Sequence, residues 1–115
     1  MRYLIAAAAI ALCTFPAHAT GTISVVIKAP LHQPQAWQPY YDYAVPAGKN
    51  LFVAFQCASG SALNGAFYPN RYAKHGLSLR SNYWDPTETR NWVWNIVWPG
   101  GAPANSHVFF SGYCS

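Results

Sequence analysis

Apolar residues in this chain alternate at period two, and no long stretch repeats them at the helical spacing of about 3.6. Leu51, Val53, Phe55 and Cys57 fall on one side of an extended segment. Val108, Phe110, Gly112 and Cys114 do the same near the end of the chain. Successive side chains of a strand point to opposite faces, so this pattern buries one face and leaves the other wet. The spacing predicts strands over Ile23–Lys28, Tyr40–Val45, Asn50–Cys57, Leu77–Tyr83, Asn91–Trp98 and Ser106–Cys114, with a shorter one over Ala66–Tyr68. Pro46–Lys49, Asp85–Glu88 and Pro99–Gly101 carry turn chemistry, and Ser59–Gly65 is small and polar enough for a loop. Prolines in Ala29–Pro39 exclude a central strand or a helix there. About six or seven short strands between such turns imply an all-β fold. The expectation is a small antiparallel β-sandwich, immunoglobulin-like or similar, with a small barrel as the other way to close such strands.

The N-terminus has the three-part layout of a secretory leader. Arg2 supplies a positive start, Leu4–Cys13 an apolar run, and Ala17-His18-Ala19 a small-x-small cleavage signal. The run is shorter than the roughly 20 apolar residues that span a bilayer, and no later segment supplies a transmembrane stretch. Leu12 before Cys13 does not suit a lipoprotein signal. Residues 1–19 are therefore expected to be cleaved, leaving 20–115 as one domain exported to a periplasm or beyond the cell. The alternative is an uncleaved anchor or a buried N-terminal helix.

Cleavage would remove Cys13 and leave Cys57 and Cys114. A pair of cysteines in an exported domain reads as a disulfide. Such a bridge would make both cysteine-bearing faces point into one core, provided neither strand carries a bulge.

Charge is sparse: 7 Lys and Arg against 3 Asp and Glu in the whole chain, with 17% aromatic residues. Aromatic-rich, charge-poor chains fold rather than stay disordered. The scattered positive balance argues against nucleic acid and is compatible with an anionic glycan or surface.

Tyr41–Lys49 followed by Leu51-Phe52-Val53 resembles the strand–turn–strand of bacterial pre-peptidase C-terminal domains, small β-sandwiches appended to secreted enzymes. The segments Trp92–Trp98 and Val108–Cys114 are similar to the way such domains end. The acidic cluster that such domains often carry is absent here. The resemblance implies a sandwich.

The chemistry available to a site is limited. Asp85 and Glu88 are neighbours, but Asp-Pro-Thr-Glu is turn chemistry. There is no G-x-S-x-G elbow, and a disulfide-bonded Cys57 is no nucleophile. The scarcity of acid–base groups argues against an enzyme, and no cofactor is implied. His32, His75 and His107 lack the short ligand spacings of zinc sites, so no metal is expected.

Two aromatic features remain. Tyr68–Trp84 combines Tyr68, Arg71, Tyr72, Lys74, His75, Arg80, Tyr83 and Trp84 without an acid, the densest positive field in the chain. Such residues donate to carboxylate, sulfate or phosphate and stack on rings. They also suit a solvated loop covering a core edge. Trp37, with Tyr40, Tyr41 and Tyr43, adds aromatic surface nearby. Trp92, Trp94 and Trp98 share one face of a strand and form a core, a stacking platform or a subunit interface. Asn95 on the opposite face wants solvent or partners, which favours the tryptophans pointing inward.

The sequence therefore supports an exported non-enzymatic protein that binds a glycan or an anionic surface molecule through Tyr68–Trp84 and Trp37. A protein–protein role (inhibitor, adhesin-like or envelope-assembly factor) is the alternative, and a small hydrolase the weakest. The ligand and the oligomeric state are not encoded in any motif.

Overall fold

The computed structural model describes residues 21–115; the expected leader, 1–19, lies outside the described residues. Among the described residues the chain is all β, with eight strands in two packed sheets. They are β1 Thr22–Lys28, β2 Ala36–Trp37, β3 Tyr41–Ala44, β4 Asn50–Gln56, β5 Ala62–Pro69, β6 Ser78–Trp84, β7 Asn91–Val97 and β8 His107–Cys114. The first sheet has the order β1-β4-β7-β6. In the second, β8 is central, with β2 and β3 along one side and β5 on the other.

Three features go beyond the alternation pattern. β1 pairs parallel to β4, from Thr22 opposite Asn50 to Lys28 opposite Gln56, while every other pairing among the described residues is antiparallel. A half-buried strand reads the same in either direction, so periodicity does not reveal this. β5 begins earlier than expected because Ser59–Gly65 is only partly loop: Ala62, Asn64 and Gly65 already pair with β8. The two-residue β2 lies within the proline-rich segment, where Trp37 sits opposite Tyr113.

The core lies between the sheets. Leu51, Val53 and Phe55 of β4 and Val108 and Phe110 of β8 are essentially inaccessible. Trp94 is fully buried, 5.1 Å from Phe110 and 6.3 Å from Phe67 between ring centroids. Trp98 is also buried, and Trp92 is half-buried against the same core. The tryptophan face of β7 is thus the inner face, as Asn95 implied. Val93, on the outer side, is nonetheless covered.

Gly65 and Gly112 are cross-strand partners that lie beneath the Trp92, Trp94 and Phe55 rings of the first sheet. A Cβ on Gly112 would lie 2.6 Å from the Phe55 ring, and one on Gly65 2.6 Å from the Trp94 indole. Only the missing side chains let the large rings of β4 and β7 close against the second sheet.

Cys57 and Cys114 form a disulfide with a Cα–Cα distance of 5.9 Å. It joins the residue after β4 to the last residue of β8, so one covalent bond ties the central strand of the second sheet to the first sheet.

Candidate functional site

An exposed aromatic surface covers the outer face of the second sheet. Burial of Val108, Phe110 and Cys114 forces Phe109, Ser111 and Tyr113 of β8 outward. Register sets Trp37 and Asn64 beside Tyr113, Ala66 beside Ser111, and Tyr68 and Asp42 beside Phe109. Two aromatic groups result. Trp37 meets Tyr113 edge to face at 5.5 Å. Tyr68 stacks on Phe109 at 4.8 Å and meets Tyr40 edge to face at 5.1 Å. From Phe109 to Tyr113 the strand advances about 13 Å; between the two groups half-buried Ala66 lies beside Ser111, which is itself covered and bonded to the Gln38 carbonyl. Trp37 is 44% exposed, Tyr40 50% and Tyr68 49%.

Polar contacts hold this face in place. The Gln38 side-chain amide donates to the carbonyls of Gln33 (2.8 Å) and Ala36 (2.9 Å), folding the proline-rich segment into a compact loop. The Tyr113 hydroxyl donates to the Gln35 carbonyl at 3.0 Å, and the Ser111 hydroxyl to that of Gln38. Trp37 is therefore presented by an anchored loop. At the other end His107 Nδ1 lies 2.7 Å from Asp42 Oδ1, a partly exposed pair beside the Tyr68 group.

The basic and aromatic segment is divided between surfaces. Tyr68 joins the face just described. Arg71, Tyr72, Lys74 and His75 occupy the turn after β5, exposed at one end of the sandwich. That turn is pinned from beneath: Ala73 is buried, its N–H donates to Asn70 Oδ1, and its carbonyl accepts from Trp98 Nε1 at 2.7 Å. The Arg71 guanidinium stacks over Tyr72 at 4.8 Å and donates to its hydroxyl. Arg80 sits at a bulge in β6. Tyr83 faces outward on the first sheet, opposite Val93. Trp84 lies at the end of β6, where its Nε1 donates to the Thr89 carbonyl at 3.0 Å. Tyr68, Arg71, Tyr72 and Trp37 thus border the second sheet, whereas Arg80, Tyr83 and Trp84 belong to the first.

Tyr40 is among the aromatics the sequence sets beside Trp37, whereas Phe109 and Tyr113 are not marked there as site residues. A signal for both is available, because cysteine parity places Val108, Phe110 and Cys114 inside and therefore Phe109 and Tyr113 outside.

The remaining groups have structural partners. Thr87 donates through its hydroxyl (2.7 Å) and its N–H (2.9 Å) to Asp85, holding that carboxyl below its ordinary value. Hydrogen bonds from Arg90 lower Glu88 in the same way. Among the described residues, no three His, Cys, Asp or Glu side chains converge as metal ligands, and no helix is long and apolar enough to cross a membrane.

A concavity of about 580 Å³ opens between β1 and β3, lined by Val25, Ile27, Phe55, Tyr41 and Tyr43 with Lys28 and Asp42 among its other residues. Burial there raises the Tyr43 hydroxyl above its ordinary pKa.

Comparison with family models, with curated proteins and with solved structures finds no match. The site is therefore interpreted from its own chemistry.

Proposed function

We propose that this protein is an exported, non-enzymatic binding module that holds a glycan against the outer face of its second sheet. The observation that carries the reading is the pair of exposed aromatic groups, Trp37–Tyr113 and Tyr40–Tyr68–Phe109, set about 13 Å apart on one strand. Aromatic faces suit the apolar C–H faces of sugar rings, and Asn64, Asp42 and His107 supply hydrogen-bonding groups at their margins. An extended glycan lying along β8 would reach both groups. Arg71, exposed beyond Tyr68, would add attraction for a carboxylated or sulfated sugar.

The test is titration calorimetry against a panel of neutral and acidic oligosaccharides. Trp37→Ala and Tyr68→Ala are each expected to weaken binding about tenfold, the equivalent of about 1.4 kcal/mol. Arg71→Ala should weaken acidic ligands alone, and added salt should reproduce its effect. Binding of every active glycan unchanged in both aromatic variants would defeat the proposal. Export is checked separately: N-terminal sequencing of the protein from its native host should begin at Thr20.

A protein partner is the second reading. It is favoured by the open groove between β1 and β3, where an added strand would find unpaired backbone groups. Binding to that groove should be insensitive to Trp37→Ala and lost on crowding it, as in Val25→Trp.

A further inference from the structure

Sandwich sheets end in edge strands, and natural proteins blunt them with short length, proline, bulges or charge. Among the described residues, three of the four sheet edges are blunted. β6 carries a bulge at exposed Arg80. β5 carries one between Ala62 and Asn64 and ends in Pro69. The remaining side of the second sheet is divided between the two residues of β2 and the four of β3, which include Asp42. β1 has none of these devices along its length. Its seven residues keep continuous register with β4, contain no proline, and carry one charge, Lys28, at the end.

The direction of its free backbone groups follows from two bonds. Ala29 N donates to the Gln56 carbonyl, and the Gly21 carbonyl accepts from Asn50 N. Odd-numbered residues therefore face β4, and Ser24 and Val26 turn their N–H and C=O groups to the open edge. Val26 is also 52% exposed and borders a trough of about 280 Å³ lined by Phe52, Ala54 and Val93 together with the polar Asp85 and Asn91.

We infer that this edge is the interface of a twofold dimer, in which Thr22–Lys28 of two copies pair antiparallel about Val25. That register suits a second copy. It places Ser24 beside Val26 of the second copy, with their edge-facing backbone groups opposed. It pairs all seven residues, and sets each Lys28 against Thr22 rather than against another charge. The first sheets of the two copies become one continuous sheet, and Val26 of each copy extends the trough of the other. The two glycan-facing sheets lie on a single rigid body, so a polymeric ligand is held at two points. The inference does not depend on the ligand being a glycan.

Sedimentation velocity on the disulfide-intact protein tests it over a concentration series, with Ser24→Pro and Val26→Lys as variants. Proline at Ser24 removes an N–H that has no partner among the described residues, and lysine at Val26 adds the missing edge charge. The wild type is expected to approach twice the monomer mass, while both variants remain monomeric with unchanged circular dichroism. Should Ser24→Pro fail to fold, Val26→Lys carries the test alone. A wild type that stays monomeric, a dimer that survives Val26→Lys, or growth beyond the dimer would each overturn the inference.

Discussion

At the scale of single residues, the glycine pair of the second sheet governs how close the two sheets come. Gly65 and Gly112 lie opposite each other beneath Trp92, Trp94 and Phe55. Neither sits in the left-handed region, so their constraint is space rather than backbone conformation. Gly112→Ala is expected to cost about 1–3 kcal/mol through overpacking against Phe55, measured as a shift of the urea midpoint at constant m-value. Alanine at Gly100, with nothing within 4 Å of its added Cβ, would meet only backbone strain. A second residue-scale effect is electrostatic. The folded-state pKa of Asp85 is depressed, so the support its ionised form gives the Asp85–Thr89 turn is fully present above the unfolded value. It is lost as pH falls through the folded value. An NMR titration should find the Asp85 carboxyl titrating lower in the wild type than in Thr87→Val.

At the scale of elements, the exposed turn after β5 is fastened to the strand pairs by one buried hydrogen bond, from Trp98 Nε1 to the Ala73 carbonyl. Trp98→Phe leaves that carbonyl without its donor and is expected to cost about 1–3 kcal/mol. Hydrogen exchange should localise the loosening to the amides of Ala73–His75. Sequence alternation located the elements well wherever one face of a strand is buried. Leu51, Val53 and Phe55 marked β4, and Trp94 and Ile96 marked the inner side of β7. It failed where packing overrides local chemistry. Gly65 reads as a loop residue because glycine is unfavourable in strands, yet the strand needs a glycine there to admit Trp92. The candidate site was partly legible for the same reason. Tyr68 and Trp37 were accessible to sequence reasoning as individual aromatics. Their assembly with Phe109 and Tyr113 depends on which strand lies beside which, and β2 and β5 reach β8 from far apart in the chain. The direction of β1 was invisible, because its alternating side chains fit a parallel and an antiparallel neighbour equally.

At the scale of the whole molecule, the final two strands are not partners but the centres of opposite sheets. Their sheets are held by side-chain packing and by the Cys57–Cys114 bond. Closing a loop with a sequence separation of 57 residues is expected to contribute about 4 kcal/mol, a large part of the stability of a domain this small. Thiol reduction should therefore lower the melting temperature sharply, and Cys57→Ala with Cys114→Ala should reproduce the loss without any reductant. The same bond has a topological consequence. Every turn from Ala58 to Tyr113 lies inside a closed covalent ring that also contains β5, β6, β7 and most of β8. A protease that cuts Asp85–Thr89 or Gly100–Ala104 opens the ring but sheds no fragment. Both halves of the broken chain stay joined through the Cys57–Cys114 bond between the sheets, and the nicked molecule separates into two chains only when a reductant reaches that bond.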